Sequence, residues 1–479
     1  MPTAVPVVLI ALLLPAAPPA DSPQKTSDAW VDARAAEIDG WADDVWRFAE
    51  PAFQEHRSAK RLADALESGG FAVKRGVADM KTAFVAEWGS GKPVIALLAE
   101  YDALPGLSQK AGVAEKTALE PGRPGHGCGH NLLGTASVAA GLAVRNAMIR
   151  HKLPGTIRVY GTPAEEGGSG KVYMVRAGLF ADVDACLTWH PSAANHVTTG
   201  SCLAIRRARF RFRGATAHSA GNPQDGRSAL DAVELMNIGV NYLREHIPSD
   251  ARVHYVITRG GGRPNVVPDF AESWYYVRSP TMAGAAKVYD RVLECARGAA
   301  IMTRTTMEVE QEDGSWEVLP NLVLSAVMHR QLQRVGPPAW DADDYRLARA
   351  LRKAVGAGSD NDPDHKVLDG KATDIHTGFT NGSTDVGDVS WTCPTAELKV
   401  ACKPLNAGGH SWDFVASAGS SIGRKGCRTA AKVMAGSALE LLLSPEQVKA
   451  AAAEFRDRSK GSPYKPYIPD GKPPEKIDP

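Results

Sequence analysis

Pro93-Val94-Ile95-Ala96-Leu97-Leu98-Ala99 is an unbroken apolar run that stops at Glu100-Tyr101-Asp102. A strand with one wet face alternates apolar and polar residues, whereas a strand covered on both faces is apolar throughout. The run therefore reads as a central strand of a mostly parallel sheet. Ile157-Arg158-Val159-Tyr160-Gly161 and Ala185-Cys186-Leu187-Thr188 have a similar character, and between the three runs the Ala/Leu/Val-rich stretch from Asn131 to Met148 reads as a helix. Strands separated by helices predict an α/β fold with both sheet faces covered. Such folds carry their functional residues at strand ends and in the loops that follow. Upstream, Trp41, Val45, Phe48, Ala49 and Phe53, then Leu62 and Leu66, recur at helical spacing, and Phe71–Lys74 and Thr82–Ala86 alternate as short strands.

The pattern changes after Leu203. Ala204–Arg213 reads as a strand, Arg227–Glu245 as a helix, Val253–Thr258 and Ala271–Val277 as strands, Ala283–Ala299 as a helix and Thr305–Gln311 as a strand. This βαββαβ order suits a two-layer α+β insertion. Helices near Leu324–Val335 and Asp343–Val355 then resume the first pattern. The expected division is a signal peptide over 1–20, a catalytic domain over 25–204 and 315–460, a lid or dimerisation domain over 205–314, and a loosely held, extended tail over 461–479.

Length also favours two domains, since 479 residues exceed what one core usually serves. A net charge of +1 gives no reason to expect nucleic acid, so small-molecule chemistry is the better expectation. Residues 1–20 contain Val7–Leu14, too short to span a bilayer and similar to the apolar part of a secretory signal, with Ala16, Ala17 and Ala20 as cleavage candidates. Prolines and the lack of Lys or Arg leave a disordered or misassigned start as the alternative. A secreted or periplasmic protein is expected, with a cytoplasmic location as the alternative, and no membrane association. The seven cysteines show no zinc-ribbon spacing; after export, Cys393 and Cys402 or Cys402 and Cys427 could pair.

Four stretches carry the chemistry. Gly125-His126-Gly127-Cys128-Gly129-His130-Asn131 offers a thiolate and an imidazole two residues apart, between glycines that admit a close backbone. These ligands suit Zn, Mn, Ni or Co; the plainer reading is a buried cysteine beside a hydrogen-bonded histidine. Glu165-Glu166 follows the strand ending near Gly161, where one carboxylate can bind metal while the other moves a proton. A solvated acidic pair is the alternative. His190 in Trp189-His190-Pro191 and His410 in Gly409-His410-Ser411 complete the set, also at a strand end and in a glycine-rich loop. The spread of these groups over nearly three hundred residues, with carboxylates among them, suits an open catalytic site better than a structural zinc site.

Together with Ala99-Glu100-Tyr101-Asp102-Ala103-Leu104-Pro105-Gly106, these motifs stand in the order of a known family. The chain resembles metallopeptidase family 20, in the amidohydrolase branch of aminobenzoyl-glutamate hydrolases, hippurate-type aminoacylases and auxin-conjugate hydrolases. Gly-Cys-Gly-His-Asn is most like the aminobenzoyl-glutamate hydrolase group. The resemblance implies a zinc-exopeptidase-like catalytic domain and hydrolysis of an amide bond in a small N-acyl amino acid, similar to p-aminobenzoyl-glutamate. It also implies two divalent ions per subunit (Zn, Mn, Ni or Co) on Cys128, His130, Glu166, His190 and His410, with Cys128 as the bridge. Glu165 becomes the general base and Asp102 a carboxylate that orients a ligand. His218 is implied to reach the neighbouring subunit's site, while Asn265 and Arg278 hold the substrate's terminal carboxylate; a turn histidine and an interstrand arginine are the plainer alternative. A homodimer follows, and a related second subunit is possible in this branch. The branch usually has Asp where this chain has Asn131, so that position carries no assigned role. A dipeptidase or aminoacylase of the same family is the alternative function, and a catalytically silent metal-binding protein a more distant one. Arg207, Arg209, Arg211 and Arg213 share one face of a strand and read equally as a solvated face or a site.

Overall fold

The computed structural model describes residues 21–356, 367–372 and 374–477, so the expected signal peptide lies outside the described residues. Val94–Ala99 forms a strand in which all six residues are buried, as an unbroken apolar run requires. It pairs in parallel with Gly155–Gly161 on one side and Ala185–Ser192 on the other. The eight-stranded sheet around it runs in the order Ala72–Arg75, Phe84–Ser90, Gly155–Gly161, Val94–Ala99, Ala185–Ser192, Thr395–Ala401, His196–Thr198, Asp374–His376. The centre is parallel, and Phe84–Ser90 joins it antiparallel.

One face of this sheet is covered by the helix His130–His151 and the long helix Ser421–Leu443, which pack against each other. His130–His151 is apolar and long enough to cross a membrane, but 83% of its most apolar stretch is buried inside the protein. Its contact with the sheet depends on Gly134, where a Cβ would lie 2.5 Å from the Glu100 carbonyl oxygen. That close approach sets the start of the helix, and so His130, against the end of the central strand.

The second sheet is wholly antiparallel, in the order Thr306–Ser315, Ala204–Arg213, Phe270–Ser279, Arg252–Arg259. Helices Ala229–Leu243 and Met282–Thr303 pack on it around a separate core that includes Phe210, Phe212, Met236, Tyr275 and Val292. The chain is thus a mixed α/β protein with a mostly parallel central sheet and a distinct antiparallel-sheet domain. The arginine face of Ala204–Arg213 is a ladder of cross-strand ion pairs: Arg207 meets Asp313 at 2.7 Å, Arg209 meets Glu312 at 2.5 Å, Arg211 meets Glu272 at 2.6 Å and Arg213 meets Glu308 at 3.1 Å.

The segment after Lys460 departs from the expectation of a loosely held tail. It is extended, but Ile468 is buried, the Tyr464 hydroxyl donates to Asp388 at 2.8 Å, and the Trp316 indole donates to the Lys465 carbonyl at 2.8 Å. Its composition is that of a solvated segment, and only the groove formed by distant parts of the chain makes it fit. All seven cysteines are free.

Candidate active site

Three neighbouring parallel strands end at one place. Val94–Ala99 runs into Glu100 and Asp102, Gly155–Gly161 runs into the loop of Glu165 and Glu166, and Ala185–Ser192 carries His190 near its end. Gly129, in left-handed conformation with φ +82°, turns the chain from Cys128 into the helix that begins at His130. A Cβ there would lie 3.0 Å from Pro191, so glycine permits the loop to sit against the His190 strand. His410 has φ +51°, and its backbone N–H donates to the Gly127 carbonyl at 3.0 Å, which ties the fourth stretch to the first.

The side chains converge. Cys128 Sγ lies 3.3 Å from His190 Nε2, and Glu166 Oε2 lies 3.3 Å from His410 Nε2. Ligand atoms of Cys128, His130 and His190 lie within 4.8 Å of one another, and so do those of Cys128, Glu166 and His410. Cys128 belongs to both groups. His190 Nδ1 lies 2.7 Å from the Pro191 carbonyl and His130 Nδ1 lies 2.8 Å from Asp102 Oδ1, so each ring donates from Nδ1 and turns Nε2 toward the cluster. The other oxygen of Asp102 accepts the Glu166 backbone N–H at 2.8 Å, so one carboxylate orients two members of the cluster.

Electrostatics set these groups apart from a solvated surface. Burial, with the charges of Glu100 and Glu166, holds the Glu165 carboxyl well above the usual carboxylate range. Burial also raises Glu166 and the Cys128 thiol, and it pushes His190 well below the usual imidazole range with help from Lys399. Burial works against protonation of His130 too, but the neighbouring Cys128 and Asp102 charges outweigh it and raise that ring. Glu100 Oε2, His130 Nε2 and Glu166 Oε1 are buried with no hydrogen-bond partner. Orphaned acceptors crowded into one buried site are what a cation-binding centre leaves behind, since a buried polar atom without a partner is otherwise costly. A donor set of thiolate, imidazole and carboxylate fits Zn, Mn, Co or Ni without choosing among them.

Three further charged groups escaped the sequence reading. Lys171, fully buried in the short helix Gly170–Arg176, lies 2.8 Å from Glu100 Oε1 and 2.5 Å from Asp385 Oδ1. Glu55 Oε1 accepts the backbone N–H of Ala164 at 2.8 Å, and Ala164 holds a left-handed φ of +61° just before Glu165. Glu100 lay inside a quoted motif, whereas a helical lysine and a glutamate beyond a helix give no local sign of burial. Asn131 is a tether: its amide reaches toward the Ala42 and Ala418 carbonyls at 3.4 Å each.

The antiparallel domain holds the remaining predicted residues. Arg278 donates to Ser383 Oγ at 3.0 Å, and burial with the nearby Arg207 charge holds its guanidinium below its ordinary value. His218 and Asn265 are exposed neighbours: His218 pairs with Val266, and the Ser219 N–H donates to the Asn265 carbonyl at 3.1 Å. Among the described residues no hydrogen bond or ion pair joins either of them to the Cys128 cluster of the same chain.

Comparison with known proteins shows the family of the chain. Residues 96–412 match the model of peptidase family M20/M25/M40. The chain is 43% identical over 453 residues to a subunit of the p-aminobenzoyl-glutamate hydrolase of Escherichia coli (strain K12), covering 89% of this chain and 94% of that one. It is 29% identical to the Xaa-Arg dipeptidase of Mus musculus, over 89% of this chain and 90% of that one. Among solved structures, a putative aminohydrolase from methicillin resistant Staphylococcus aureus superposes with a TM-score of 0.65 at 17% identity, covering 88% of this chain and 100% of that one. With its motifs gathered at the ends of the parallel strands and its family model spanning residues 96–412, the chain belongs to peptidase family M20/M25/M40.

Proposed function

We propose that this amide-bond hydrolase cleaves an N-acyl amino acid of the p-aminobenzoyl-glutamate type, with two divalent ions held by Cys128, His130, Glu166, His190 and His410. The observation that carries the proposal is Cys128, shared by two donor sets beside the raised carboxyl of Glu165. When bound, the ions supply Lewis acidity and make water a nucleophile near neutral pH. Glu165 takes the proton of the attacking water and returns it to the leaving nitrogen. Asp102 keeps the His130 ring and the Glu166 backbone in place throughout. Among the described residues no ion pair joins Arg278 to a carboxylate, and it receives the carboxylate of the substrate, for which a planar guanidinium is suited.

His218 and Asn265 serve the site of a second copy, which makes the functional unit a homodimer. Their exposure supports this, as do exposed Ile238, Tyr242, Val256 and Ile257 on the helix and edge strand of the lid. The Escherichia coli relative is itself one subunit of its hydrolase, which adds a related partner chain to the proposal. Export to the periplasm or beyond rests on the composition of residues 1–20.

The test is hydrolysis of p-aminobenzoyl-glutamate, hippurate and a dipeptide panel by protein loaded with Zn, Mn, Co or Ni, with a chelator control. Chelator-sensitive turnover of p-aminobenzoyl-glutamate supports the proposal. Turnover of dipeptides alone moves the chain to the dipeptidase reading, and turnover that survives chelation removes the two-ion reading.

A further inference from the structure

We propose that Glu100 is a sixth protein ligand of the metal centre, on the His130 side, held in that pose by Lys171; the inference rests on the two-ion reading above. Glu100 is the first residue after the central strand, and its side chain is 3% exposed. Its two oxygens differ. Oε1 is 2.8 Å from Lys171 Nζ, and Lys171 is in turn fixed by Asp385, whose Oδ2 accepts the Lys171 backbone N–H at 2.9 Å. That contact uses one oxygen and sets the rotation of the carboxylate, which turns Oε2 toward His130.

Oε2 has no hydrogen bond and lies 3.2 Å from His130 Nε2, which has none either. Because Nδ1 of that ring is committed to Asp102, a neutral His130 presents a lone pair at Nε2. Two lone pairs that face each other inside the protein repel unless a proton or a metal ion joins them, and the metal ion is the reading tested below. Donors bonded at about 2.1 Å to one ion are about 3.0 to 3.4 Å apart for bond angles between a right angle and the tetrahedral value, a range that includes this separation. Glu165 offers a ligand atom within 4.8 Å of both, so the pair opens onto the reacting side of the centre. Lys171 Nζ contacts both Glu100 and Asp385, so a single ammonium is shared between two buried carboxyl groups.

The alternative is a carboxylate that merely pairs with a protonated His130. It predicts that losing Glu100 leaves the number of bound ions unchanged. The experiment is cobalt binding to the full chain, stripped and titrated at buffered free Co²⁺, read by elemental analysis and by the thiolate-to-cobalt absorption band. Wild type is expected to bind two ions per chain. Glu100→Ala is expected to keep one ion with its thiolate band and to bind the other at least about tenfold more weakly. Glu100→Gln keeps the shape and an oxygen for Lys171, and it is expected to show the same weakening should the alanine variant fail to fold. Two ions bound by a folded variant with wild-type affinities would overturn the inference while leaving the two-ion reading intact. No cobalt bound by wild type would overturn both.

Discussion

The Ser169 hydroxyl donates a hydrogen bond to Asp313 at 2.7 Å, which ties the loop of Glu165 and Glu166 to the last strand of the antiparallel domain. Asp313 also holds the buried guanidinium of Arg207 at 2.7 Å. Ser169→Ala removes the tie and leaves Arg207 paired, so it is expected to cost about 1 kcal/mol of stability. Asp313→Ala strands a buried charge and is expected to cost about 3–5 kcal/mol. Both should lower kcat more than they raise KM, because the misplaced groups are Glu165 and Glu166, which are proposed above to act on the amide. Urea denaturation and steady-state kinetics read these effects; unchanged kcat in both variants would show that the tie does not position the loop.

Glu165→Gln separates proton transfer from metal binding. The variant keeps the size of the side chain and leaves Cys128, His130, Glu166, His190 and His410 untouched. Turnover is expected to fall by about 10²- to 10⁴-fold, with the metal content per chain as in wild type. Elemental analysis beside kinetics distinguishes this from a collapsed site, and a variant of near-normal rate removes Glu165 from the role of base.

How much of this was legible in the sequence follows from how far each feature reaches along the chain. Val94–Ala99 could be read because burial on both faces leaves no polar position in the run, and all six residues are buried. The βαββαβ insertion was legible from the change of periodicity, and the stretches that meet around Cys128 from their place at strand ends and between glycines. The strands His196–Thr198 and Asp374–His376 are three residues each, too short to show a period. Lys171 was invisible for a different reason: a lysine normally lies in water, and this one is buried because Asp385, 214 residues away, meets it. The arginine face of Ala204–Arg213 was ambiguous because its carboxylate partners lie on other strands.

The segment after Lys460 gives a prediction that its composition opposes. It is pinned through Tyr464, Ile468 and the carbonyls of Pro469 and Gly471, which accept from Arg176 at 2.8 and 2.5 Å. Farther along, Ile477 packs beside the loop of Glu165 and Glu166, where a Cβ on Gly168 would lie 2.7 Å from Ile477 Cδ1. A chain ended at Lys460 is therefore expected to melt several degrees lower and to lose activity. Ile477→Ala isolates the second effect, with a loss of kcat and about 1–2 kcal/mol or less of stability. Full activity of the shortened chain would show that the segment is only a cover.

Glu55 supplies the pH dependence. Its carboxyl is buried, and burial together with the nearby Asp102 charge raises it to about 8 from an ordinary 4.5. Between those values the folded chain holds a proton that the unfolded chain has released. The contribution to stability is thus fully present below about 4.5 and is lost as pH rises through about 8. Within that window the slope of unfolding free energy is expected to include about −1.4 kcal/mol per pH unit from this group. Glu55→Gln cannot ionise and retains an oxygen for the Ala164 N–H, so its stability should be flatter with pH and should exceed that of wild type at the alkaline end. Urea unfolding of both proteins across this range, with metal chelated so that ligand titration does not contribute, reads the difference in slope. Parallel curves would mean that Glu55 is ionised in the fold, and its bond to Ala164 would then be a carboxylate holding a strained turn.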